Sequence, residues 1–187
     1  MSLENVEVVR QPLAVSERSS RTLDQRLALR VPWLAAASAR LIGRLAPTSR
    51  IRQALMSRTA RLGAESFNRR DFEALLLIYH PEAEFRAPRA LAESSVVKAS
   101  YRGHDGYVEF FRDWLTAWGD YRMRPRELID LGDRIVVLDE IVGRGAGSGA
   151  PLAQEHALVL FMEDGRVVLS EEYFDPAEAL EAVGLRE

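Results

Sequence analysis

The sequence contains no cysteine. That absence removes disulfides, thiolate zinc sites and cysteine nucleophiles together, and it fits a reducing compartment, so a cytoplasmic protein is expected. Long apolar runs are missing as well: no stretch reaches the ~18 uninterrupted apolar residues of a membrane span. The opening MSLENVEVVR carries acids and no early apolar run, so no secretory signal is expected. Histidine occurs three times and never in an HExxH spacing, which argues against a metal. A Gly-x-Ser-x-Gly nucleophile elbow is also lacking. The glycine-rich GRGAGSG at 143–149 joins two predicted strands, with no helix after it to offer amide N–H groups. It reads as a hairpin loop and not a phosphate cradle, and the expectation is a protein with no cofactor. Repeats and low-complexity tracts are not found.

What is present points to one soluble globular unit. The chain has 187 residues, 47% apolar and 28% charged, enough for a sizeable core. Its charge is uneven. Residues 1–70 carry 13 arginines and 5 acids, whereas 71–187 carry 12 basic residues and 23 acids. Nucleic-acid binding would need an exposed basic and aromatic face, and the body of the chain is acidic, so no nucleic-acid partner is expected.

The pattern over 122–175 organises the fold. Gly132-Asp133 and Asp164-Gly165 separate runs rich in Val, Ile, Leu and Phe, and Asp-Gly between such runs is a strong hairpin signal because both turn positions favour positive φ. A four-stranded antiparallel meander follows, preceded by helices and closed by a short helix opened by Pro176 and ended by Gly184, an α+β order. Ahead of it, residues 4–10 read as the start of a helix stopped by Pro12. Leu23, Leu27, Val31, Leu34, Leu41 and Leu45 recur at helical steps, with Pro32 bending or splitting the run. Arg26, Arg30, Arg40 and Arg44 share that stretch. Such a helix ordinarily covers a neighbour's apolar face; lying on a membrane surface is the less favoured reading. Thr48 or Ser49 caps the next helix, Asp71 caps another over FEALLLIYH, and Glu84–Ala87 reads as a short strand. Residues 88–100 read as an irregular loop. Tyr107, Phe110, Phe111, Trp114, Leu115 and Trp118 form one aromatic stripe on a helix.

The strings FNRRDFEALLLIYHPEAEF, YRGHDGYVEFFRDW, LGDRIVVL and DGRVVLSEEYFDPAEALEAVGL resemble the SnoaL-like, polyketide-cyclase-like branch of the NTF2-like superfamily, which includes ketosteroid isomerases. The resemblance covers about 65–187, with a family-like opening at 4–10, and residues 11 to about 50 look inserted. It implies a cone in which a curved antiparallel sheet wraps around helices and encloses a pocket. We therefore expect a helical extension over 1–50 and the NTF2-like domain over 51–187. It also implies a homodimer through the sheet's outer face, for which Val136, Leu138, Val142, Leu158, Leu160, Val167, Leu169 and Tyr173 have the expected parity. The isomerase chemistry does not carry over. The family's oxyanion tyrosine falls on Gly63, its general base on Ala87 and its second acid on Ala157, so the Tyr/Asp/Asp design is missing.

Strand parity names the candidate lining. With tight turns, Ala157, Val159, Phe161, Val168, Ser170, Glu172 and Phe174 enter the pocket, and one floor row reads Arg126, Asp139, Ala157, Glu172. Two carboxylates near each other on an apolar face are the ingredients of acid–base catalysis, so Asp139 and Glu172 are the candidate catalytic residues, with Arg126 orienting Asp139 or a ligand anion. The competing reading has Arg126 neutralise Asp139 with no chemistry. Tyr79, Phe85, Phe110, Trp114, Val137, Ala157, Phe161 and Phe174 are the candidate binding residues for a small hydrophobic or aromatic molecule, unless they simply fill the cone. His80 is read at a helix end and His156 on the outer face. The alternative to an isomerase-, cyclase-, dehydratase- or hydrolase-type enzyme is a non-catalytic binding or dimerisation module whose basic helices contact a partner or membrane surface.

Overall fold

A computed structural model describes residues 8–13, 20–94, 97–145 and 147–185, without the side chains of 116–119. Seven strands form one curved, open sheet: β1 (Val9–Pro12), β2 (Tyr79–Arg86), β3 (Ser100–Arg102), β4 (Trp118–Asp130), β5 (Arg134–Gly145), β6 (Pro151–Glu163) and β7 (Arg166–Tyr173). Their order is β1-β4-β5-β6-β7-β2-β3, with β2 parallel to β7 and every other pair antiparallel. The helices are α1 (Leu23–Arg30), α2 (Pro32–Gly43), α3 (Arg50–Asn68), α4 (Phe72–Leu75), α5 (Arg89–Glu93), α6 (Gly103–Ala117) and α7 (Pro176–Ala182). The NTF2-like cone is therefore present.

Local signals explain most of these boundaries. Asp164 and Gly165 both adopt positive φ, 50° and 77°, so the Asp-Gly hairpin forms as its sequence requires. Thr22 and Gln25 make a reciprocal capping box on α1, Pro32 occupies the first turn of α2, and Ser49 and Asp71 cap α3 and α4. The aromatic stripe of α6 fills the concave side of the sheet. Phe67 of α3 meets Phe111 edge-on at 4.8 Å, and Phe110 packs on Tyr101 at 5.3 Å.

Several expectations are corrected. Val9 and Arg10 lie in a strand, not a helix, because β1 extends the sheet edge along β4; residues 4–7 fall outside the described part. The helix after Asp71 is one turn followed by a 3-10 turn at Leu76–Ile78. Tyr79 and His80 then begin β2, so His80 ends no helix. The loop over 88–100 contains α5 and the first residue of β3. Trp118 opens β4 instead of continuing α6, and its side chain lies outside the described residues.

Arg52 joins three parts of the chain. Its guanidinium donates Nε–H to Asp130 Oδ2 at 2.7 Å and an Nη2–H to Asp130 Oδ1 at 2.8 Å. The remaining N–H groups reach the carbonyls of Gly43, Leu45 and Gly132 at 2.9, 3.1 and 2.7 Å. All five donors are used, which is the condition under which a fully buried arginine is tolerated. The end of α2 is thereby pinned to α3 and to the β4–β5 turn. At the other end of the same helical pair, Arg21 forks onto Asp71 at 2.7 and 2.6 Å and reaches Glu73 at 2.7 Å.

Candidate functional site

Three neighbouring strands bring together an acid, an imidazole and a second acid. Asp139 on β5 lies directly opposite His156 on β6. Glu172 on β7 lies opposite Leu158, one diagonal step from His156 on the same face. His156 Nδ1 is 2.9 Å from Asp139 Oδ1, and Nε2 is 3.7 Å from Glu172 Oε2. Asp139 and His156 are buried, whereas the Glu172 side chain keeps 14% of its surface exposed.

The electrostatics follow from that geometry. Burial alone disfavours an imidazolium, but the charge of Asp139, its hydrogen bond and the nearby Glu172 outweigh it and push His156 up to about 10. His156 is thus a cation at neutral pH, donating Nδ1–H to Asp139. Its Nε2–H points at Glu172 from too far for a hydrogen bond, and Nε2 has no hydrogen-bond partner among the described residues.

Asp139 and Glu172 both border a cavity of about 360 Å³. Its walls are mostly apolar, with Val137, Leu158, Leu160, Phe67 and Leu75 among them. The roof is the inner side of α1 and α2, where Ala28, Ala35, Ala39 and Ile42 face inward. Tyr79 and Tyr107 contribute to the wall, and burial pushes both hydroxyls well up, so they are neutral O–H groups at ordinary pH. Among the described residues no group of His, Asp or Glu has the arrangement to hold a metal ion.

The structure changes the expected lining in several places. Asp139, Glu172, Tyr79 and Val137 border the cavity. Arg126 does not join the floor. It sits at a bulge in β4, where Pro125 pairs with Asp139 and Glu127 with Leu138, and it turns outward to Glu140 at 3.0 Å and Glu155 at 3.6 Å. The cation that Asp139 meets is His156, which was expected on the outer face. Ala157, Val159 and Phe161 point outward and pack with Ala179 and Leu180 of α7 and with Val183 at its C-terminal cap. Leu158, Leu160 and Val167, expected outside, are the inward residues. Phe85, Phe110, Trp114 and Phe174 pack in or against the aromatic core beside the cavity and do not border it.

Two single-residue displacements account for these reversals. The β5–β6 register sets Asp139 against His156, not Ala157. An extra residue, Val168, interrupts β7 between the pairs Met162–Val167 and Phe161–Leu169. Because side chains alternate, a one-residue slip moves a whole strand's set to the other face. The signal available beforehand for His156 was a lone histidine at the head of the apolar run 157–162.

The SnoaL-like domain model matches residues 61–170, more than half of the chain. TerC, co-crystallised with polyporic acid, is 27% identical, covers 66% of this chain and 94% of its own, and superposes with a TM-score of 0.57. An NTF2-like protein of unknown function from Burkholderia pseudomallei is 29% identical, covering 68% and 95%, with a TM-score of 0.58. A protein of ketosteroid-isomerase-like fold from Catenulispora acidiphila, in complex with trimethylamine, is 13% identical over 68% and 92%, with a TM-score of 0.53, a likeness of fold alone. No curated protein matches the chain.

Proposed function

Because the chain belongs to the SnoaL-like domain family, we propose that its cone binds a small hydrophobic molecule and moves a proton on it without a cofactor, in an isomerase-, cyclase-, dehydratase- or hydrolase-type reaction. The observation that carries this reading is the pair of carboxylates bordering an apolar cavity, with one imidazolium held between them. The roles divide by reach. Asp139 is buried and occupied by the Nδ1–H of His156, so it keeps the imidazole charged and oriented. Glu172 is attracted by the same cation but not hydrogen-bonded to it, which leaves its oxygens available to a ligand. It is the general base, and once protonated the general acid. When Glu172 takes a proton, Asp139 and His156 remain a neutral pair, so no step leaves the imidazolium alone. Tyr79 and Tyr107, as neutral hydroxyls of the same cavity, are the donors for negative charge developing on a ligand oxygen.

A Tyr/Asp/Asp ketosteroid-isomerase mechanism is not part of this proposal. Gly63 and Ala87 stand at two of its positions, and Ala157 at the third faces α7. A binding module without chemistry is the second reading, favoured by the aromatic side chains that fill the rest of the cone. We also propose the homodimer through the outer sheet face, where Leu138, Phe161 and Tyr173 stay partly exposed beside α7; a monomeric sedimentation profile would refute it.

The test is a thermal-shift screen of wild type and Glu172→Gln with polyporic acid and a panel of hydrophobic ketones and lactones. Any stabilising compound is then incubated with protein in deuterated water and followed by NMR. Deuterium entering the ligand with wild type but not with the variant supports proton transfer by Glu172. Equal stabilisation of both proteins, without exchange, supports the binding module. If no compound stabilises wild type, the pocket reading fails.

A further inference from the structure

The helical pair α1–α2 has two faces with opposite character. Its inner face roofs the cavity. Its outer face carries the side chains that a soluble surface ordinarily buries: Leu23 is 82% exposed, Trp33 72% and Leu41 65%, and Leu27 and Leu34 are also exposed. Helical spacing puts Leu23 and Leu27 on one side of α1, and Trp33, Ala37 and Leu41 on one side of α2. Both outer sides point away from the same cavity. No residue of α2 is buried. The stripe expected to cover a neighbour's apolar face is thus turned away from the body of the protein.

The same outer face is basic. Its helices and their C-terminal cap carry Arg26, Arg30, Arg40 and Arg44, all exposed, against a single acid, Asp24. Asp24 is engaged by Arg58 at 2.8 Å. Arg26, Arg30 and Arg44 are exposed beside the apolar side chains and make no ion pair among the described residues, while Arg40 meets only Asp164, at 3.3 Å. Exposed leucines with a tryptophan, flanked by arginines whose stems can lie along an apolar phase while the heads reach phosphates, are the composition of an interfacial surface. Among the described residues no helix is long and apolar enough to cross a membrane, so the contact is one of lying on the surface.

From this we infer that α1–α2 docks the protein onto an anionic lipid surface, with Leu23, Leu27, Trp33 and Leu41 entering the headgroup region and Arg26, Arg30, Arg40 and Arg44 pairing with lipid phosphates. Charge decides between this occupant and a second copy of the chain. A two-fold contact through this face would set the arginines of one copy against those of the other, with one already-paired acid to offset them. An anionic bilayer complements them. The face lies ahead of the matched family region at 61–170, so it is a property of this chain's own helical segment.

The experiment is co-sedimentation of the full chain with vesicles of phosphatidylcholine, alone or mixed with phosphatidylglycerol, at low and high salt. Quenching of tryptophan fluorescence by brominated lipid serves as a second readout. Wild type binds the mixed vesicles, loses binding at high salt, and shows quenching that Trp33→Ser removes. Substituting Arg26, Arg30 and Arg44 together by serine weakens binding about a hundredfold, each arginine being worth close to a factor of five. These side chains are exposed, so the variants keep the wild-type unfolding midpoint, which is measured alongside. Absence of binding to mixed vesicles, equal binding to both compositions, or wild-type binding by the triple variant overturns the inference. So does a dimer in sedimentation velocity that Trp33→Ser with Leu41→Ser converts to monomer, because a second copy then occupies the face.

Discussion

A histidine held as a cation between two carboxylates ties stability to pH in a window where few other groups titrate. His156 has its proton site pushed from 6.5 up to about 10 in the folded chain. In the unfolded chain it titrates at its ordinary value. Between those limits the folded state carries a proton that the unfolded state lacks. The stabilisation is fully present below 6.5 and is lost as pH rises through 10. One proton of difference gives a slope of about 1.4 kcal/mol per pH unit, so wild type loses about 3 kcal/mol between about pH 7 and pH 9. The buried tyrosines do not interfere, because burial pushes their hydroxyls upward, away from the window. The assay is urea unfolding at intervals across the window, read from the midpoint at constant slope. His156→Gln is the control. It leaves Asp139 and Glu172 without their cation, at a cost of about 3–5 kcal/mol near neutrality, and its stability no longer declines across the window. A flat wild-type profile, or the same decline in the variant, refutes the imidazolium assignment. An NMR titration placing the His156 midpoint near its ordinary value would do so independently.

Asp139→Asn costs about 3–5 kcal/mol, because it breaks a buried hydrogen-bonded pair, whereas Glu172→Gln, partly exposed and 3.7 Å from its partner, costs at most about 1 kcal/mol; chemical denaturation of the two variants compares them. Arg52→Lys also loses about 3–5 kcal/mol, since a lysine cannot reproduce the fork on Asp130 or serve three carbonyls at once, and an unfolding midpoint close to wild type would show that Arg52 does not pin α2 to the β4–β5 turn. At Gly165, φ is 77° and an added Cβ would overlap the backbone carbonyl of Ala39, so Gly165→Ala pushes α2 off the β6–β7 turn; hydrogen exchange shows faster amides in α2 with the remaining strands unchanged. Arg21→Ala releases the N-terminal side of α1 from Asp71 and Glu73, raising exchange in α1 while the global unfolding midpoint stays put.

Legibility in this sequence followed the range of the interaction that decides each feature. Turns and caps are settled within a few residues, and there the reading of the chain agrees with the structure: Asp164-Gly165 makes its turn, Pro32 opens α2, and Ser49 and Asp71 cap their helices. Helical faces are settled over a turn or two, and Tyr107, Phe110, Phe111 and Trp114 of the α6 stripe are buried as their spacing requires. Strand pairing depends on register across the whole sheet, and here one inserted residue has consequences far beyond its own position. Val168 in β7, Arg126 in β4 and the β5–β6 register each displace a pairing by one; Pro125, which a strand interior accepts only at an edge or a bulge, marks the displacement in β4, and the other two carry no local mark such as glycine. The two acids faced inward regardless, since Asp139 and Glu172 lie on strands whose parity at those positions was unaffected. The cation that meets Asp139 changed from Arg126 to His156 because both residues sit where a register is displaced. That exchange alters the chemistry. An arginine would hold Asp139 at every accessible pH, while a histidine makes the same contact conditional on its proton. The outer face of α1–α2 departs from the sequence expectation for a different reason. Periodicity shows that a helix has an apolar side but not which way that side turns, and small residues such as Ala28, Ala35 and Ala39 were enough to roof the cavity while the larger leucines and Trp33 faced out.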